Sequence, residues 1–92
     1  MIKKIIKFSA TWCGPCRAYH KTFETVGNME KYKDIKFMEL DADDNEEEFD
    51  KYNIKGVPTT ALLDENDNVI STISGNISQK ELTDIIDSNL DA

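Results

Sequence analysis

The only two cysteines of this chain, Cys13 and Cys16, stand two residues apart in the string Trp12-Cys13-Gly14-Pro15-Cys16. They follow an apolar run, Ile5-Ile6-Lys7-Phe8, whose β-branched and aromatic residues favour a strand. A strand running into Cys-x-x-Cys at the start of a helix constrains the fold more than any other feature here. The first turn of a helix leaves N–H groups unpaired and carries partial positive charge, which favours a thiolate over a thiol. The second sulfur, one turn on, is close enough to attack a mixed disulfide made by the first. Such a pair is a reversible redox switch rather than a structural staple.

The rest of the sequence sets limits on that switch. A chain of 92 residues suits one domain, 1–92, because a chain this short buries only roughly 60–65% of its unfolded surface. The formal net charge of -7 argues against nucleic acid, which needs a basic face, and discourages binding to anionic membranes. No apolar run reaches the length of a membrane span. Met1-Ile2-Lys3-Lys4 has the charge of a secretory leader, but Lys7 interrupts the apolar stretch and no small-residue cleavage site follows. The expected compartment is therefore the cytoplasm, where Cys-x-x-Cys is catalytic or metal-binding more often than a permanent crosslink.

Periodicity supplies the element order. A first strand is expected over Lys3–Ser9, nearly continuous in apolar residues as suits a central strand covered on both faces. Tyr19, Phe23 and Val26 recur at helical spacing in a helix expected over Cys13–Met29. A second strand is expected over Ile35–Leu40, and a short helix over Glu46–Tyr52 capped by Asp44 or Asn45. Thr59–Leu63 and Val69–Ser74 read as a hairpin around a polar turn. Ser78 and Glu81 form a capping box before a last helix striped by Leu82, Ile85, Ile86 and Leu90. The order β-α-β-α-β-β-α predicts an α/β domain with a four-stranded mixed sheet and helices on both faces. Its first two strands should be parallel and its last two antiparallel.

Trp12-Cys13-Gly14-Pro15-Cys16-Arg17 is followed about forty residues later by Ile54-Lys55-Gly56-Val57-Pro58-Thr59. These two strings in this strand order resemble the thioredoxin family over nearly the whole chain. The family carries a further strand and helix before the point where this chain begins, so the resemblance is to a minimal, thioredoxin-like fold. Glutaredoxins place Pro-Tyr between the cysteines, whereas Gly14-Pro15 sides with thioredoxins.

The resemblance implies a role for each matched position. Cys13 is the expected nucleophile, at the point of greatest exposure. Thioredoxin is itself the standard example of a Cys-x-x-Cys thiol with a pKa near neutrality, and the resemblance carries that expectation to Cys13. Cys16, facing the core, is the expected resolving thiol. Pro15 fits a first helical turn, where a missing N–H costs nothing, and Gly14 leaves room for a substrate chain. Trp12 reads either as an apolar wall beside Cys13 or as a plain core aromatic. A cis-proline at Pro58 would turn the Val57 backbone toward the cysteines, where it can pair with an extended substrate segment. Thr59 and Gly75 belong to the same surface. Lys7 falls where the family usually carries a buried aspartate, and Phe37 where that aspartate's lysine neighbour is expected. A buried lysine needs a counter-charge or a path to water, and Glu39 is available. An ammonium at Lys7 would stabilise thiolate at the active site.

The implied activity is reduction of protein disulfides by the Cys13/Cys16 dithiol, with no cofactor beyond this redox-active disulfide. Electrons would come from a separate thioredoxin-reductase-type donor, since the chain carries no Gly-rich dinucleotide motif. A monomer is expected, without membrane or nucleic-acid partners. The competing reading is a binding module of the same fold without redox turnover. His20, with Cys13 and Cys16, mimics metal-ligand spacing, but a structural zinc site needs four ligands and there is no second cluster, so no metal is expected. His20 is read as a helix-surface residue, and the acidic stretch from Asp41 to Glu46 as a solvated connection.

Overall fold

A computed structural model describes residues 1–90. The strands are β1 (Lys4–Ser9), β2 (Lys36–Asp41), β3 (Thr59–Leu63) and β4 (Val69–Ser74); the helices are α1 (Gly14–Gly27), α2 (Glu46–Lys51) and α3 (Gln79–Leu90). The sheet runs β2-β1-β3-β4. β1 lies parallel to β2 and antiparallel to β3, and β3 is antiparallel to β4. The expected thioredoxin-like α/β fold is therefore present, and its two central strands, β1 and β3, are the most deeply buried.

Alternation along β1 and β3 divides the core between the two faces. Ile5 and Leu62 point to one side, where Tyr19, Phe23 and Val26 of α1 meet Leu82 and Ile86 of α3. Ile6, Phe8, Ala61 and Leu63 point to the other, where Phe49 and Tyr52 cover them. The Phe8 and Phe49 rings meet edge to face, 5.0 Å between centroids.

Element ends differ from the sequence reading where tertiary contacts intervene. α1 stops at Gly27, two residues early, and a Cβ on Gly27 would stand 3.1 Å from the Phe37 ring of β2. A 3₁₀ turn, Glu30–Tyr32, follows and had no signature in the sequence. It buries Tyr32, whose hydroxyl donates to Asp87 of α3 at 2.7 Å. β2 is displaced by one residue from the expected span, and α2 ends at Lys51 with Tyr52 as its cap. Asn45 caps α2 without a side-chain bond to it; its amide donates instead to the Asp41 carbonyl at 3.0 Å. The capping box at α3 is formed, with the Glu81 N–H donating to Ser78 Oγ at 3.1 Å.

Candidate active site

β1 ends at Ser9, and the chain turns through Ala10, Thr11 and Trp12 into α1. The Cys13 N–H donates to the Ala10 carbonyl at 3.2 Å, and the Arg17 guanidinium donates to the Thr11 carbonyl at 3.0 Å. These bonds fix the turn against the helix start. Cys13 is the N-cap of α1, in an extended conformation, with Pro15 in the first turn. Its sulfur accepts from the Cys16 N–H at 3.2 Å, so a freed helical donor points at the expected nucleophile. Cys13 and Cys16 are joined as a disulfide. A Cβ on Gly14 would meet nothing within 4 Å, so the flank of the disulfide opposite the core is open.

Across the gap, the Val57–Pro58 peptide bond is cis, and the Val57 carbonyl oxygen lies 3.8 Å from Cys13 Sγ. The Thr59 hydroxyl donates to the Gly56 carbonyl at 2.7 Å, and the Gly75 N–H donates to the Pro58 carbonyl at 2.8 Å. Gly75 has φ +94°, a conformation that side chains resist, which accounts for glycine at this turn. Trp12 is 68% exposed, so the core-aromatic alternative is wrong. Its indole borders a groove of about 420 Å³ with Ala42, Phe49, Ile54, Lys55 and Val57.

Two expectations need correction. Cys13 is not the exposed sulfur anticipated: it is 6% exposed, packed against Val57 and Ala42. Phe37 does not neighbour Lys7. It pairs with Ile5 and sets its ring 5.4 Å from that of Phe23. The residue opposite Lys7 in the parallel register is Glu39.

Lys7 is 1% exposed, and its ammonium lies 2.8 Å from Glu39 Oε2. It also stands 3.3 Å from His20 Nδ1, which accepts from it in the Nε2–H tautomer, and 5.8 Å from the centre of the Phe23 ring. The Ser9 hydroxyl donates to the same Glu39 oxygen at 3.0 Å. Burial pushes the Glu39 carboxyl up, but the bonds from Lys7 and Ser9 outweigh it and leave the pKa lowered. Sequence reasoning had foreseen Lys7 with Glu39 and had missed His20. The signal was its i,i+4 spacing from Cys16, which puts both on one face of α1. Lys7, His20, Glu39 and Cys16 line one cavity of about 450 Å³ behind the disulfide. Among the described residues, no group of three or more His, Cys, Asp or Glu side chains is placed to hold a metal ion.

Comparison with known proteins agrees with this geometry. The thioredoxin family model matches residues 2–88. A thioredoxin of Aspergillus fumigatus is 32% identical over 72 residues, 78% of this chain and 66% of that protein. A thioredoxin of Ophiophagus hannah is 37% identical over 65 residues, 71% of this chain and 60% of that protein. The chain thus spans less than two thirds of the length of either relative. Among solved structures, the germline-specific thioredoxin Deadhead of Drosophila melanogaster superposes with a TM-score of 0.83 at 26% identity, covering 95% of this chain and 80% of that one. With 87 of its 92 residues inside the family match, and with the disulfide at the start of α1 facing Val57-Pro58, the chain belongs to the thioredoxin family.

Proposed function

We propose that the chain is a thiol-disulfide oxidoreductase that reduces disulfides of protein substrates. The observation that carries this reading is the Cys13–Cys16 disulfide, set at a helix N-terminus with an open flank beside Gly14. In the reduced state the Cys13 thiolate attacks one substrate sulfur. A Cys13–substrate disulfide forms, the substrate S–S bond breaks, and the first substrate thiolate leaves and takes a proton from water. Cys16, deprotonated, then attacks Cys13 Sγ. The intramolecular disulfide forms and the second substrate thiolate departs. Two electrons pass from the dithiol to the substrate.

Within this reading each remaining group has a task. The Val57 carbonyl and N–H offer an extended substrate segment a short backbone pairing beside the sulfur, with Pro58, Thr59 and Gly75 holding that loop in place. Trp12 and its groove receive an apolar substrate side chain. Gly14 and Pro15 keep the approach open, and Lys7 adds positive charge behind Cys16. A dithiol-reducing flavoprotein of the thioredoxin-reductase type fits as electron donor, because the disulfide is the chain's only redox group. A single-domain monomer acting in the cytoplasm suits a chain whose only cysteines are the reactive pair. The net charge of -7 disfavours nucleic acid, and no helix among the described residues is long and apolar enough to cross a membrane.

Insulin reduction with dithiothreitol as donor tests the activity. Turnover that depends on Cys13 supports it; partner binding that survives Cys13→Ser, without turnover in the native chain, supports a binding module instead. Equilibration against glutathione buffers then places the couple on the redox scale.

A further inference from the structure

The groove beside Trp12 adjoins the sulfur that reacts first. Cys13 packs against Ala42 and Val57, and both of these residues line the groove with Phe49, Ile54 and the exposed Trp12 indole. Its lining side chains are apolar except at Lys55. A substrate disulfide approaching Cys13 brings its own neighbouring side chains onto this surface. Apolar contact alone would do little to distinguish one protein disulfide from another.

Charge does distinguish them. Next to the groove is a recess of about 480 Å³ whose lining holds Asp43, Asp44, Glu46, Glu47, Glu48 and Asp50. The two surfaces interleave along the chain: Ala42 of the groove precedes Asp43, and Phe49 of the groove stands between Glu48 and Asp50. Groove and recess therefore share α2 and the segment that leads into it. Among the described residues, none of the six carboxylates takes part in an ion pair. The cations of this stretch are fewer. Lys51 holds its ammonium 5.2 Å from the centre of the Tyr52 ring, and Lys55 lines the groove. Six carboxylates against two ammonium groups over residues 42–57 account for more than half of the formal net charge of -7. Charge of one sign beside a concave surface draws in the opposite charge, and it repels segments of its own sign.

We propose that the Trp12 groove selects protein disulfides carried on basic segments. An apolar side chain beside the substrate cysteine enters the groove, and the Lys or Arg residues that flank it meet the carboxylates of α2 and of Asp43 and Asp44. This rests on the dithiol exchange described above and names the substrate class for it. The bonds made and broken are those already given. The carboxylates act on the encounter, where they speed association with a basic segment and penalise an acidic one. Lys55 opposes the preference but is outnumbered.

Two synthetic peptides test this, each closed by one intramolecular disulfide, with Leu beside a cysteine and either Lys or Glu flanking the pair. Dithiothreitol is the donor, and each catalysed rate is divided by the direct dithiothreitol rate for the same peptide, which removes the peptide's own reactivity. The Lys peptide is expected to show a kcat/KM about tenfold above that of the Glu peptide at about 10 mM ionic strength, where the screening length is about 30 Å. At about 1 M salt, where that length shrinks to about 3 Å, the ratio should fall toward one. Asp43→Asn combined with Asp44→Asn should lower the low-salt ratio several-fold; both positions precede α2, so the helix itself is untouched. Lys55→Glu should raise the ratio. Equal rates for the two peptides at low salt, a preference for the Glu peptide, or a ratio unmoved by salt and by the Asp43→Asn, Asp44→Asn variant would overturn the proposal. Reduction of the uncharged bis(2-hydroxyethyl) disulfide reports the exchange itself. A native chain that catalyses neither that reaction nor reduction of either peptide would remove the oxidoreductase reading, and the preference with it.

Discussion

Lys7 and Glu39, partners in the parallel register of β1 and β2, form an ion pair of 2.8 Å whose lysine is buried and whose carboxylate reaches water. The family pairing of a buried aspartate with a lysine is thus present with its charges exchanged. The exchange changes what each side chain can do beneath Cys16, because the deeper group is now the donor.

Removing either partner should have unequal consequences. Glu39→Gln leaves a buried ammonium without its counter-charge. It is expected to cost about 2–4 kcal/mol in urea unfolding, near the lower end of the range for broken buried pairs because Glu39 is partly solvated. Lys7→Met removes the buried charge at similar volume and should stay within about 1 kcal/mol of the native chain. It should also raise the apparent thiol pKa and make the couple more reducing, since a cation near the sulfurs favours thiolate. Unchanged thiolate absorbance titration and redox equilibrium in Lys7→Met would disprove that coupling.

Acid should unfold the protein partly through two carboxyls. The Lys7 and Ser9 bonds more than offset burial at Glu39, while donation from the Tyr32 hydroxyl and then from Lys31 lowers Asp87. A carboxyl lowered in the fold contributes stability above its unfolded pKa and loses it as pH falls through the folded value. Stability should therefore hold between about pH 5 and 7 and decline below about pH 4, where unfolded carboxyls gain protons. In Lys7→Met the decline should be shallower, because Glu39 returns toward its ordinary value. Superimposable acid limbs in urea midpoints would refute the link.

Cys16→Ser should trap substrate as a mixed disulfide through Cys13, and Cys13→Ser should abolish turnover. Cys13 caps the helix and faces the substrate side, whereas Cys16 opens to the rear cavity. Mass spectrometry of the trapped adduct identifies the sulfur; an adduct on Cys16 in Cys13→Ser would reverse the order.

Trp12→Ala should separate recognition from stability. With its indole exposed, the change should shift unfolding by less than about 0.5 kcal/mol. The KM for a protein disulfide should rise several-fold while kcat changes less. An unchanged KM would take the groove out of substrate recognition.

Tyr19→Phe should be costly for the opposite reason. The Tyr19 hydroxyl and Thr60 Oγ1 are 2.8 Å apart in the core, where neither meets water. Losing one partner leaves the other unsatisfied, at about 1–3 kcal/mol. Thr60→Val in the Tyr19→Phe background should recover part of that, and a double variant less stable than Tyr19→Phe would contradict the pairing.

The hairpin strands β3 and β4 were legible to the residue because Pro58, the polar turn Asp64–Asn68 and Gly75 mark their ends. The two cysteines were legible from their spacing after an apolar strand, and the Val57-Pro58-Thr59 loop from its resemblance to the family's cis-proline string. Gly27 was not, since its reason is a ring from another strand. The 3₁₀ turn was not, since three residues carry no period. Burial of Cys13 escaped notice because the covering group, Val57, is distant in sequence. His20 was visible only as a spacing, and its significance depends on Lys7 and Glu39, which reach it from two strands of the sheet.

The groove beside Trp12 and the cavity behind Cys16 have no lining residue in common. A protein seated over Trp12 and Val57 therefore closes the front of the disulfide and leaves its back door open. The tightness of an encounter complex at the front and the reach of solvent to the rear of Cys16 are therefore set by different residues. A partner can grip the front as firmly as its own sequence allows without covering the residues that line the rear of Cys16.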